Sequence, residues 1–188
     1  TILEFCEMEA DKTLSMQMGI HLGEKVLKLK RLRMADGIPM MVERSYLPAR
    51  LFISLKRPLL EQKPLYDVIE QDYQQKIRVA DEEFSAGIAR PCDARLLGIG
   101  EGAPVLDIVR TTHNTQNDVV EFTLSVARAD KFKYRISHYR DTVWSDTSAN
   151  ERKTVYDYYS IWLFRLSLCI SENLVKKEVL EMFEKSVE

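Results

Sequence analysis

Alternating apolar and polar residues mark the first part of this chain as strands joined by tight turns. Residues 2–9, ILEFCEME, alternate as a half-buried strand does, and a short helical stretch follows that ends at Gly19. Residues 25–34 form a second predicted strand, the turn at 35–37 (Ala-Asp-Gly) reverses the chain, and residues 38–46 return before Pro48. The pattern predicts a strand, a helix and a hairpin in that order.

The later part of the chain shows the same order of elements after one more helix. Leu65, Val68, Ile69 and Tyr73 recur at helical spacing and predict a helix of about three turns within residues 64–75. Residues 77–89 predict a strand and residues 92–97 a brief helix ending at Gly98. Two further strands, 105–112 and 119–129, are joined by the polar turn HNTQND. Strands dominate, which predicts an α+β fold with a mostly antiparallel six-stranded sheet and flanking helices.

The two parts of the chain also share sequence. Shifting the chain by 79 positions aligns MGIHLGEKVLKLKR (18–31) with LGIGEGAPVLDIVR (97–110), and six of the 14 positions are identical. Each copy continues through a hairpin to a glutamate, Glu43 or Glu121. Helix ends and turns explain the shared glycines, but the matching Val-Leu pair and arginine indicate a duplicated unit. The seam between two such units is where we expect a ligand cavity.

Residues beyond about 140 have a different character. The polar run DTVWSDTSANERK (141–153) has the composition of a linker, and residues 154–187 predict two helices separated near Ser171. We therefore predict a domain over 1–140 and, over 141–188, a linker with a helical C-terminal extension whose role the sequence does not reveal. Because the sequence starts at Thr1, without an initiator Met and in the middle of an apparent strand, we expect these residues to be part of a longer protein.

Charge and cysteine content narrow the classes of function. The formal net charge is −2, from 27 basic and 29 acidic side chains, so the chain has no general positive field for binding a phosphate backbone. Three widely spaced cysteines fit neither a disulfide framework nor a zinc site and indicate a reducing cytoplasm. The longest apolar stretch, residues 155–170, is too short to span a bilayer and contains charged residues. We expect a cytoplasmic protein that does not contact a membrane.

Polar side chains cluster on one side of the predicted sheet. Strand side chains alternate between faces, so Arg31 and Arg33 point to the same side. Two guanidinium groups so placed suit a small anion, and nearby carboxylates suit sugar hydroxyls or an amine. The even-numbered residues of the last strand, Phe122 to Val126, are expected in a core. The residues predicted on the polar side of the neighbouring strands are Glu43, Ser45, Glu121, Thr123 and Ser125.

Two interpretations of this cluster remain open from pattern alone: a ligand site, or cross-strand ion pairs that hold the sheet in register. The sequence gives little support for metal binding, nucleophilic catalysis or nucleotide binding. The three histidines lack metal-ligand spacing, and the nucleophile-elbow and P-loop motifs are absent. We predict no catalytic residue, no metal site and no cofactor.

Several blocks of the sequence together resemble the ligand-sensing UTRA domain of GntR-type repressors, in the HutC/FarR subfamily. The blocks are MGIHLGEKVLKLKRLRMADGIPMMVERSYLP (18–48), PLYDVIEQDY (64–73), ARLLGIGEGAPVLDIVRTT (94–112) and VEFTLSVARADKFKY (120–134). The resemblance implies a chorismate-lyase-like fold, a homodimer and an N-terminal winged-helix domain, absent here, that binds DNA. By position it implies these ligand contacts: Arg31, Arg33, Glu43, Ser45, Tyr66, Glu121 and Ser125.

The resemblance further implies that a small anionic metabolite, such as a sugar phosphate or an amino-acid derivative, changes the affinity of the dimer for DNA. Two departures bear on the ligand. Pro64 and Ala127 stand where sugar-phosphate sensors of this type tend to carry hydroxyl-bearing residues, which puts an aminosugar phosphate in doubt. The alternatives are a chorismate-lyase-like enzyme and a domain that only dimerises around a vestigial pocket.

Overall fold

The computed structural model describes residues 1–132. Its strands are β1 (Ile2–Glu9), β2 (Lys25–Ala35), β3 (Ile38–Pro48), β4 (Ile77–Ile88), β5 (Pro104–Asn114) and β6 (Val119–Arg128). Its helices are α1 (Lys12–Met18), α2 (Arg57–Gln62), α3 (Leu65–Asp67) and α4 (Pro91–Leu97), with a 3-10 turn at Ala49–Leu51 and a π-helical turn at Val68–Asp72. The predicted C-terminal extension, 141–188, lies outside the described residues.

All six strands form one antiparallel sheet in the order β1-β2-β3-β6-β5-β4. The sequence prediction of a six-stranded antiparallel sheet with helices is therefore confirmed. Within each three-strand half, the order of strands and of the short helix is the same, and β3 pairs with β6 at the centre. The two halves are thus related by an approximate twofold axis that passes through this central pair of strands.

Local sequence explains how the elements begin and end. The side chain of Asp11 accepts a hydrogen bond from the Leu14 amide at the start of α1, at 2.8 Å. Gly19 and Gly98 end α1 and α4 in the left-handed conformation, which costs glycine no steric strain. The hairpin turn between β2 and β3 places both Asp36 and Gly37 at positive φ, as the tightest hairpin turns require.

The predicted three-turn helix within 64–75 is wrong in length and type. Only Leu65–Asp67 is α-helical, and the chain then widens into the π-helical turn, where the Tyr73 amide donates to the Val68 carbonyl. Tyr66, Val68 and Ile69 are nevertheless buried, as the apolar stripe requires. The sequence patterns also gave no element between Pro48 and Pro64, where the 3-10 turn and α2 lie.

The sheet is covered on both sides. Helices α1 and α4 pack on the face that carries Tyr46, Phe122 and Val126, which we call the helix face. The segment between β3 and β4 places Tyr66 against the other face, where its hydroxyl meets Glu121. That second face carries the predicted arginines, and we call it the arginine face.

Burial along β6 differs from the prediction in one respect. Its odd-numbered polar residues, Glu121, Thr123 and Ser125, are buried like Phe122 on the even side, and Tyr66 of the β3–β4 segment contacts Glu121 there. On the even side Leu124 is 36% exposed. The expectation that the whole even side of β6 lies in a core is therefore wrong at Leu124. None of the helices within residues 1–132 is long and apolar enough to cross a membrane.

Candidate functional site

Two arginines converge on one buried carboxylate on the arginine face. Arg31 of β2 lies directly opposite Glu43 of β3, and its Nη2 donates a short hydrogen bond to Glu43 Oε1. Arg33, two residues further along β2, places its Nη1 3.7 Å from the same oxygen. The side chains of Arg31 and Arg33 are only 14% and 10% exposed. This group, Arg31, Arg33 and Glu43, carries two positive charges and one negative charge; we call it the arginine pair site.

The electrostatics of the arginine pair site follow from its burial. Burial alone raises the pKa of Glu43, but Arg31 and Arg33 outweigh it and hold that pKa below its ordinary value. Burial lowers the pKa of Arg33, and the nearby carboxylate of Glu43 only partly offsets this. Arg31 Nε is buried and finds no hydrogen-bond acceptor among the described residues. A buried donor without a partner is costly, so the site has unused capacity to bind an acceptor.

A second polar group lies two strands away on the same face. The hydroxyl of Tyr66, delivered by α3, donates to Glu121 Oε2 at 2.5 Å and lies 3.3 Å from Thr112 Oγ1. Arg110 Nη1 donates to the same hydroxyl at 3.4 Å. Burial, together with the charge of Glu121, raises the pKa of Tyr66, so the hydroxyl remains a donor over the whole physiological range.

Arg110 is anchored from its other side by the edge strand. Its Nε and Nη2 donate to Glu82 Oε1 of β4 at 2.6 and 2.5 Å. Burial opposes ionisation of Arg110, but the neighbouring carboxylates of Glu82 and Glu121 outweigh it and raise its pKa. Sequence reasoning missed Arg110, Glu82 and Thr112 as members of this group. The internal repeat contained the relevant signal, because it aligns Arg110 with Arg31.

Three hydroxyl-bearing residues of the central strands, Ser45, Thr123 and Ser125, lie between these groups. Ser45 Oγ and Thr123 Oγ1 are 3.0 Å apart across the β3–β6 pair. Ser125 lies directly opposite Glu43. The structure thus places all seven predicted residues on the arginine face or on the segment that covers it. It also places Arg31 and Glu43 as a cross-strand pair, so the geometry is equally that of the ion-pair alternative.

The strand register places Glu43 and Glu121, which the sequence repeat had aligned, at different positions in their two halves. Glu43 lies opposite Arg31, whereas Glu121 lies opposite Thr112, two residues beyond Arg110. The residue opposite Arg110 is Thr123. Glu43 and Glu121 are therefore not equivalent in three dimensions, because the hairpin of the second half differs in length. Tyr66 instead provides the link between Arg110 and Glu121.

A cavity of about 460 Å³ lies on the helix face, between α1 and the surface of β4, β5 and β6. None of the seven predicted residues lines it. The cavity is partly over the seam between the two halves, since Tyr46, Phe122 and Leu124 contribute to it. Among residues 1–132 no group of three or more His, Cys, Asp and Glu side chains is placed to hold a metal ion.

Comparison with solved structures identifies the class of domain. The fold matches the ligand-binding domain of a Bordetella bronchiseptica protein assigned to the GntR family of transcriptional regulators. The match has a TM-score of 0.71 and 27% identity, and covers 74% of this chain and 89% of that one. The effector domain of PhnF from Mycobacterium smegmatis shares the fold at a TM-score of 0.63 and 22% identity, over 73% of this chain and 85% of that one. The architecture is that of a GntR-type ligand-binding domain, consistent with a chorismate-lyase-like fold.

The UTRA domain family matches residues 1–133, and the chain belongs to that family. It is 32% identical over 140 residues to the HTH-type transcriptional repressor NagR of Bacillus subtilis, covering 74% of this chain and 56% of that protein. It is 26% identical over 135 residues to MngR of Escherichia coli, the repressor of a mannosyl-D-glycerate transport and metabolism system, covering 72% and 56%. These relatives are transcriptional repressors and not enzymes. The chain spans about half the length of the curated relatives it matches.

Proposed function

We propose that this domain binds a small anionic metabolite on its arginine face and that occupancy controls DNA binding by an N-terminal winged-helix domain of a longer, homodimeric cytoplasmic repressor. In this proposal Arg31 and Arg33 bind the anion, and Glu43 and Glu121 accept from hydroxyl or amine groups of the ligand. Ser45, Ser125 and Tyr66 orient it.

The observation that carries the proposal is the convergence of two buried guanidinium groups at the arginine pair site. Arg31 and Arg33 lie side by side there and share the carboxylate of Glu43. Arg31 Nε in addition has no acceptor within residues 1–132. A buried donor without an acceptor is costly, and a carboxylate or phosphate from a ligand offers bidentate acceptors to such a fork. An ion pair that served only to hold the sheet in register would need one arginine, not two.

The site is closed in this structure, so binding involves movement. Tyr66, from the segment between β3 and β4, lies against Glu121 on the arginine face, and the two arginines are mostly buried. The π-helical turn in this segment is a type of distortion often found at functional sites. We expect the ligand to displace part of this cover, which gives occupancy a structural consequence that a dimer can transmit.

The relatives support the regulatory part of the proposal. Both are repressors, and one is named for a system that handles mannosyl-D-glycerate, a sugar that carries a carboxylate. The net charge of −2 of this chain favours DNA contact through another domain and not through this one.

Thermal denaturation of the full 188-residue chain with a panel of compounds tests the proposal. The panel contains inorganic phosphate, glucose 6-phosphate, glycerate and mannosyl-D-glycerate, with glucose as the uncharged control. A compound present at one hundred times its dissociation constant adds about 2.7 kcal/mol of stability. We expect at least one anion, and not glucose, to raise the melting temperature.

Arg33→Ala is the decisive variant. Arg31 still pairs with Glu43 in this variant, so the melting temperature of the free domain should change little while the ligand-induced rise disappears. Arg95→Ala on the exposed side of α4 is the matched control and should retain the full rise. If Arg33→Ala strongly destabilised the free domain, or no anion raised the melting temperature, the ion-pair or dimerisation-only alternatives would be favoured.

A further inference from the structure

The two halves of the sheet differ where their short helices cross the central strands. Arg44 of β3 and Leu124 of β6 lie directly opposite each other at the approximate twofold axis. In one half Arg44 reaches α4 and forms a short ion pair with the buried Asp93. In the other half the corresponding positions are Leu124 on the strand and Leu14 on α1, which can form no such pair.

The helix-face cavity occupies this second position. Leu14 and Leu124 both line it. At the equivalent position in the first half, the side chains of Arg44 and Asp93 fill the space. Leu124 remains 36% exposed. The rest of the apolar floor comes from Met8, Tyr46, Val109 and Phe122, and the rings of Tyr46 and Phe122 stack at 6.4 Å. A volume of about 460 Å³ falls within the range of small-molecule sites.

Carboxylates surround this apolar floor. Asp81 and Glu83 of the edge strand β4 line one side, and Asp11 at the start of α1 lines the other. None of the described lining residues is lysine, arginine or histidine. Asp81 is 73% exposed and lies 4.0 Å from His113, and Glu83 has no ionic or hydrogen-bonded partner among residues 1–132. Thr13, Gln17 and Thr111 add neutral hydrogen-bonding groups at the same rim.

We propose that the helix-face cavity is a second binding site, for a small organic cation with an apolar body and an ammonium group. The body rests on the floor formed by Phe122, Tyr46 and the leucines, and aromatic rings also attract a cation held over them. The ammonium group lies at the rim beside Glu83 and Asp81. A small molecule is favoured over a basic peptide because the apolar surface is confined to one cavity beneath α1. The site is separate from the arginine face and does not depend on the function proposed above.

Three probes with one ring system and different charges test this site. Tryptamine, indole-3-ethanol and indole-3-acetate carry a positive, a neutral and a negative group on the same indole body. We expect isothermal titration calorimetry with the full chain to show tryptamine binding about tenfold more tightly than indole-3-ethanol, with indole-3-acetate weakest. In water, one carboxylate about 4 Å from a cation corresponds to about a fivefold effect, and a second about 8 Å away adds about a factor of two. Equal affinity for the three probes, or no binding of tryptamine, would overturn the proposal.

Variants place the binding on the helix face. Glu83→Gln should weaken tryptamine about fivefold, and Asp81→Asn with Glu83→Gln should reduce it to the affinity of indole-3-ethanol. Glu101→Gln, an exposed carboxylate outside the cavity, is the matched control and should have no effect. Leu124→Arg places in the cavity the residue type found at Arg44 and should abolish binding.

Two further results distinguish other sites and other occupants. Arg33→Ala on the arginine face should leave tryptamine affinity unchanged, and a loss of binding in this variant would overturn the assignment to the helix face. A hexalysine peptide that bound more tightly than tryptamine and lost affinity with Glu83→Gln would show a peptide surface instead of a small-molecule site. Melting temperatures within a few degrees of the parent chain confirm that each variant is folded.

Discussion

Replacing Tyr66 with phenylalanine removes one hydroxyl from the centre of the arginine face. That hydroxyl donates to Glu121 at 2.5 Å, and Glu121 is 1% exposed. Thr112 Oγ1 also lies 3.5 Å from the carboxylate, the limit of a hydrogen bond. A hydrogen bond to a charged group contributes about 1.5–3 kcal/mol. We therefore expect Tyr66→Phe to lower the free energy of unfolding by about 3 kcal/mol.

Urea denaturation followed by circular dichroism measures this change. Tyr73→Phe is the matched control, because the Tyr73 hydroxyl donates to the exposed carbonyl of Ile53 at 3.1 Å. Loss of this exposed hydrogen bond should lower the free energy of unfolding by about 0.5 kcal/mol. In a Glu121→Gln background the Tyr66 hydroxyl bonds only a neutral amide, so Tyr66→Phe should lower the free energy of unfolding by about 1 kcal/mol there. The difference from about 3 kcal/mol is a coupling energy of about 2 kcal/mol. If the two phenylalanine variants were equally stable, the Tyr66–Glu121 bond would not stabilise the domain.

The remaining stability predictions concern one buried and one exposed carboxylate. Glu43→Gln removes the carboxylate that Arg31 and Arg33 share and should lower the free energy of unfolding by about 3 kcal/mol at pH 7 in urea denaturation. Because the folded-state pKa of Glu43 is below its unfolded value, its contribution is present above about pH 4.3 and is lost as pH falls through the folded pKa. The difference between parent and variant should therefore shrink at pH 3; a constant difference would contradict the assignment. Asp11→Ala removes the N-terminal cap of α1 and should lower the free energy of unfolding by about 1 kcal/mol in a thermal melt. Asp11→Ser, which can still cap the helix, should retain most of the stability.

Local patterns in the sequence determined most of the secondary structure. Alternation identified all six strands, and Gly19 and Gly98 identified the ends of α1 and α4. The turn with Asp36 and Gly37 followed from residue type, because few residues tolerate positive φ. These features depend on neighbours within a few residues, so the chain itself contains the information. The side of β2 on which Arg31 and Arg33 lie followed from the same alternation.

Only the tertiary structure decided which partners these side chains meet. The repeat suggested that Glu121 corresponds to Glu43, but the register of β5 and β6 brings Thr123 to Arg110 and leaves Glu121 to Tyr66. Register depends on hairpin geometry summed over the whole strand, and a small difference in hairpin length moves every pair. The contact of Tyr66 with β6 depends on how the 3-10 turn, α2 and the π-helical turn cross the sheet, which residue periodicity does not encode.

The burial of β6 also depended partly on local sequence and partly on tertiary packing. Alternation showed that β6 has a polar and an apolar side, but it could not show that both would be covered, or that Leu124 would be left exposed between sheet and helix. Burial depends on which elements pack on each face, and that choice is made by the whole chain. Sequence alone therefore placed the predicted ligand contacts on one face, while only the packing of α1 against the opposite face created the cavity there.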